Sequence, residues 1–263
     1  MKTRSLALSV MTVLLALASC KKDSNEIPPP VNNDPELLGA ETSKVFHYSF
    51  NGNLNDGSGS NLHAAGSNNI SYTTDRLGRP NQAVVFAGSG NSSYILTPSL
   101  SSKNITFPFS VSFWFKANSV SGSQTLIKSD GVERSGYAGF WAQLGVTGTG
   151  TMAFNFGDLT GASGSSRNSI ITPSIFAANT WYHIVVNVRG ANDMDFYVNG
   201  VKNNNCSYDG SAATIVFNEP ESRGILGVYD GASSDFGGAF DDYRIYKKIL
   251  SQTEVSALYN FQP

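Results

Sequence analysis

From Lys44 to the C-terminus, short apolar stretches alternate with clusters of Gly, Asn and Ser, which is the pattern of many strands joined by turns. Phe109, Val111, Phe113 and Phe115 share one parity, and Ser110, Ser112, Trp114 and Lys116 share the other. That spacing predicts a strand with one buried face and one wetter face. Tyr182, Ile184, Val186 and Val188 repeat it. Asn199-Gly200 predicts a two-residue hairpin between the runs 194–198 and 201–202, because both central positions of a type I′ turn have positive φ. The chain closes with a strand pattern over 237–246 and one short helix over 251–259, where Ser251 and Glu254 have capping-box spacing and Leu250 can staple onto Val255. Strict alternation on the last strand groups Asp241 with Tyr243 and Ile245, and Asp242 with Arg244 and Tyr246. An inward-facing Asp241 would need a partner. Two facing antiparallel sheets follow, and the absence of a repeat of about 20–50 residues argues against a solenoid or propeller.

Four segments in order carry a resemblance: Tyr48-Ser49-Phe50-Asn51-Gly52-Asn53-Leu54-Asn55-Asp56, Phe109–Lys116, Trp181–Val186 with Phe196-Tyr197-Val198-Asn199-Gly200, and the ending from Gly237 to Asn260. Together they resemble the laminin-G-like, concanavalin A-like lectin/glucanase superfamily. The resemblance implies an all-β, two-sheet antiparallel sandwich, a concanavalin A-like jelly roll with one short C-terminal helix, over residues 44–263. It does not settle function, because this fold carries carbohydrate-binding modules, adhesion domains and glycosidases alike.

The N-terminus has a different composition. Lys2 and Arg4 precede an apolar run from Leu6 to Ala18, and Leu17-Ala18-Ser19-Cys20 has the form of a bacterial lipobox. Residues 1–19 therefore read as a lipoprotein signal peptide, with Cys20 the lipidated residue. Lys21-Lys22-Asp23 resembles the start of lipoproteins from Bacteroidetes-type bacteria, where export to the outer membrane is usual. Residues 20–43 read as the lipidated Cys and a disordered Pro/Asn-rich tether, able to reach roughly 70 Å when extended. The expected location is the cell envelope, at the outer membrane, with membrane attachment through the lipid anchor only. With Cys20 taken by lipid, Cys206 is left alone and no internal disulfide is possible. A net charge of −2 with 14% charged residues supplies no basic field for nucleic acid.

Catalytic chemistry finds little support. Retaining glucanases that the chain resembles carry a Glu-x-Asp-x-x-Glu pattern on one strand; the nearest stretch, Asp193-Met194-Asp195-Phe196-Tyr197-Val198, has no Glu. Asp241 and Asp242, adjacent on a strand, should point to opposite faces and form no dyad. His47, His63 and His183 lack zinc-motif spacing, and His183 is expected to be a strand residue satisfied by a neighbour. The oxygen-rich turn from Asn51 to Gly59 suits a hard cation, and the resemblance implies a structural Ca2+ shared by Asp56 and Asp241. The other reading of these residues is an Asx-turn loop whose Asp bonds backbone amides. For a glycan, Trp141 and Gln143 share a strand parity and Trp114 sits on the wetter parity of its own strand, so these three are the candidate ligand-binding residues on a concave face. Trp181, at a strand start, is expected to pack.

The expectation is a non-catalytic, lipid-anchored module that binds a glycan or polysaccharide. Two alternatives stay open: an adhesion or scaffold domain that binds an envelope or extracellular protein, and a glycoside hydrolase of the same fold.

Overall fold

A computed structural model describes residues 39–130, 137–159, 166–217, 223–228 and 234–262. The expected signal peptide, Cys20 and the part of the expected tether up to residue 38 lie outside the described residues. Among the described residues, two eight-stranded antiparallel sheets face each other. The first runs β13 (Val201–Lys202), β12 (Asp193–Val198), β11 (Tyr182–Gly190), β6 (Phe109–Ala117), β16 (Gly237–Tyr246), β4 (Ala83–Ala87) and β3 (Ile70–Thr73), with β1 (Lys44–Tyr48) also on β16. The second runs β14 (Ser207–Gly210), β10 (Arg167–Ile171), β9 (Met152–Gly157), β8 (Phe140–Leu144), β7 (Gln124–Lys128), β15 (Gly224–Leu226), β5 (Tyr94–Thr97) and β2 (Gly66–Asn68). One helix, α1 (Gln252–Asn260), follows β16.

The core is the set of odd positions of β6 and even positions of β11 packed on Phe140, Ala142 and Leu144 of β8 and Met152, Phe154 and Phe156 of β9. This is the parity expected from the sequence, and it fixes register, since a one-residue slip would turn those side chains to water. The hairpin at Asn199-Gly200 forms with φ of 50° and 80°. Ser251 caps α1 through the Glu254 amide, and the Glu254 carboxylate returns to the Ser251 amide, so the expected capping box is complete.

A second, smaller apolar cluster covers the outer face of the first sheet. Leu250, Val255, Ala257 and Leu258 pack on Val185, Tyr197 and Tyr246, and Ala40 joins them. Residues 39–43, expected to belong to the tether, are therefore seated on the sandwich. Glu41 explains the attachment, because its carboxylate accepts a hydrogen bond from Arg244 at 2.7 Å.

Candidate functional site: the outer face of the first sheet

The last strand does not alternate strictly. Register against β6 shifts between Asp241 and Arg244, and Asp242 adopts φ 54°. This is a bulge at a residue type that tolerates the left-handed region. Phe240, Tyr243 and Ile245 consequently face the core, and Asp241, Asp242 and Arg244 gather on the outer face, where they meet Arg76 and His47. The expected grouping of Asp241 with Tyr243 is corrected, as is the expectation that the two acids point apart. The extra residue explains both. The signal was present in the sequence: the apolar positions 240, 243 and 245 skip a step of two.

These acids are tied to cations. Arg76 Nη1 reaches Asp241 Oδ2 at 2.5 Å, and its Nη2 lies 3.6 Å from Asp242 Oδ2. One guanidinium thus bridges the pair. Asp242 also accepts from His47 Nε2 at 2.8 Å and from Arg244 Nε at 2.9 Å. Burial and the neighbouring Asp242 raise the pKa of Asp241 against the pull of Arg76. For Asp242, burial is outweighed by Arg244, His47 and Arg76, which hold its carboxyl well below the usual range. The Phe261 carbonyl accepts from Arg76 Nη2 at 3.0 Å, and the Phe261 ring lies against Arg244, so the segment after α1 closes over the cluster. A pocket of about 200 Å3 remains among His47, Asn51, Arg76, Asp242 and Arg244.

Arg76 also links this cluster to an adjoining depression of about 320 Å3, lined by Trp114, Trp181, Tyr259, Leu77, Asn260 and Gln262. The Arg76 guanidinium sits 4.6 Å from the Trp114 ring centroid, and Tyr259 stacks on Trp114 at 5.6 Å and 16°. Trp114 is only 7% exposed. Lys116 lies 5.3 Å over Trp181, which is half-buried. Behind Trp114, His183 Nε2 is bonded to Ser112 at 3.0 Å, and burial lowers the pKa of His183 to about 3, so it is neutral at physiological pH. Trp181, expected to be a packing residue, lines the depression. Its position one residue before β11 carried that information, because a residue just outside a strand escapes the alternation.

The other expected ligand residues lie elsewhere. Trp114 is on β6 and Trp141 on β8, and both point away from the core, so they occupy the outer faces of opposite sheets and line no common surface. Trp141 and Gln143 are brought together, but through a bond from Trp141 Nε1 to Gln143 Oε1 at 3.1 Å. Tyr137 stacks on Trp141 at 5.1 Å, and the indole is 3% exposed. A stacking platform needs an open ring face, and Trp141 has little of one.

Asp56 and Asp241 have separate partners. The oxygens of Asp56 accept from the amides of His47, Ser58 and Leu62 and from the Ser58 hydroxyl, at 2.9–3.0 Å. Asp241 holds an arginine. Calcium needs six to eight oxygen ligands, and among the described residues no group of three or more His, Cys, Asp or Glu side chains forms a metal site. This donor set does not fit the Ca2+ expected at Asp56 and Asp241; Asp56 performs the Asx-turn role instead, tying the loop to β1. Asp195, in the stretch nearest to the glucanase pattern, is paired with Arg189 and Lys202 at 2.5 and 2.6 Å. Burial raises the Cys206 thiol to about 11, which keeps it protonated at neutral pH.

A family model described as the concanavalin A-like lectin/glucanases superfamily matches residues 89–256. The chain belongs to this superfamily. No curated protein matches its sequence. Among solved structures, this concanavalin A-like chain is similar to the botulinum neurotoxin serotype D binding domain, with TM-score 0.61 and 17% identity over 85% of this chain. It is also similar to that toxin's ligand-binding domain in complex with N-acetylneuraminic acid, with TM-score 0.60, 17% identity and 85% coverage. The chain spans about half the length of these toxin domains, 52%. It is similar as well to domain 4 of AbnA, a GH43 extracellular arabinanase from Geobacillus stearothermophilus, in complex with arabinotriose. There the TM-score is 0.54 and identity 20%, over 83% of this chain and 98% of that domain. At these identities the likeness establishes the fold.

Proposed function

We propose that this concanavalin A-like chain is a lipid-anchored, extracytoplasmic module that binds a glycan and does not cleave it. One observation carries the reading: an aromatic-lined depression adjoins a carboxylate pair bridged by a guanidinium. Glycoside hydrolysis needs two carboxyl groups facing each other across a scissile bond, about 5–9.5 Å apart depending on outcome. Arg76 occupies the position between Asp241 and Asp242 that a sugar would need. Those acids hold structure, and the neighbouring aromatic surface is left for recognition. The likeness to an arabinotriose-bound domain over nearly all of its length supports a saccharide ligand, and the lipobox at Cys20 supports envelope attachment.

The test is a polysaccharide binding screen of the intact chain in detergent, with the ligand recovered and sized afterwards. Saturable binding with the ligand intact is expected. Cleavage lost on Asp241→Asn or Asp242→Asn would replace the reading with a glycosidase. Silence across the screen, with capture of a defined envelope protein, would replace it with a scaffold.

A further inference from the structure

We infer that the depression over Trp114 takes a neutral saccharide unit, stacked against Trp181 and Tyr259; this rests on the glycan-binding reading above and assigns it a place and a chemical class. Trp114 lines the depression, with Tyr259 stacked on it at 5.6 Å. Tyr259, at the end of α1, is 36% exposed and Trp181 is half-buried, so both keep apolar ring surface at the rim. A pyranose or furanose C–H face matches that surface.

Charge sets the class. Among the described residues, Arg76 is the one charged side chain lining the depression, and its guanidinium is spent on Asp241, Asp242 and the Phe261 carbonyl. The remaining polar side chains of the lining, Asn260 and Gln262, are amides that both donate and accept, as hydroxyls require. A depression without an uncompensated charge offers nothing to a carboxylated sugar that it does not offer to a neutral one. Lys116 on the Trp181 ring is the nearby cation that could alter this, and it enters the test. A volume of about 320 Å3 lies at the small end of ligand sites, about 300–1,000 Å3, which suits a short stretch of glycan in place of a long groove.

The experiment is titration calorimetry of the intact chain with arabinan, xylan, β-glucan, polygalacturonate and alginate as probes, in about 0.1 and 1 M NaCl. A neutral polysaccharide is expected to bind with an affinity that salt leaves unchanged. Trp181→Ala and Tyr259→Ala should each weaken it roughly tenfold, the scale of a lost aromatic stack with its buried area. Neutral binding untouched by Trp181→Ala and Tyr259→Ala would overturn the location and leave the glycan-binding reading standing. Preference for an acidic polymer, lost in high salt or on Lys116→Gln, would overturn the neutral class. Binding to none of the probes would overturn the inference together with the reading beneath it.

Discussion

Asp242 is the residue on which the outer-face cluster turns, and Asp242→Ala tests that directly. The substitution deletes the acceptor of His47 Nε2 and of Arg244 Nε and Nη2, leaving a guanidinium that is 2% exposed with Glu41 as its remaining carboxylate partner. Breaking a buried ion pair by removing one member costs about 3–5 kcal/mol, because the other charge stays buried. Alanine at φ 54° adds up to about 1 kcal/mol more, since Asp tolerates the left-handed region better. For a domain of this size each kcal/mol moves the melting temperature by roughly 2–4 °C, so a fall of roughly 6–24 °C is expected. The assay is urea and thermal unfolding followed by tryptophan fluorescence in low and high salt. Both should give the same loss, because buried pairs are screened little. Asp242→Asn separates the causes: it keeps the backbone preference and should recover the smaller increment only. A loss below about 1 kcal/mol for Asp242→Ala would refute the argument that these charges hold the terminal strand.

Asp56→Ala should cost about 3 kcal/mol, since the carboxylate accepts four hydrogen bonds, and the loss should be equal with Ca2+ and after chelation; a loss confined to the Ca2+ condition would restore the cation. Burial raises the pKa of Asp56, but the bonds from Leu62, Ser58 and His47 outweigh it and hold the folded value below the ordinary one. Its stabilisation is therefore present above about pH 4 and is lost as pH falls through the depressed value, so wild type and Asp56→Ala should converge in acid melts. Ser251→Ala removes half of the capping box and should cost about 1 kcal/mol, measured by the same melts; no change would mean that packing of α1 alone sets its start. Cys20→Ser should move the protein from the membrane to the soluble fraction, and continued membrane partition would contradict lipid attachment at that residue.

What the sequence shows and hides follows from the range of each interaction. The strand parity of 109–115 and 182–188, the Asn199-Gly200 turn and the Ser251–Glu254 cap are local devices, written in neighbouring residues, and the fold returns them as read. The acid cluster depends on one inserted residue and on Arg76, which reaches β16 from far along the chain. Alternation applied without a bulge puts Asp241 in the core, and the broken spacing of Phe240, Tyr243 and Ile245 was the only local trace of the insertion. Trp114 and Trp141 show the same limit. Parity says correctly that each leaves the core, but only sheet topology says that they leave it in opposite directions.

The central claim is that the outer-face acids hold the structure while the surface beside them binds a glycan. Titration of the intact chain with a neutral polysaccharide, followed by sizing of the recovered polymer, bears on both halves at once. Saturable binding to a polymer recovered at its original length, weakened by Trp181→Ala, is the predicted result. A shortened polymer, or one that no concentration of the protein retains, would contradict it.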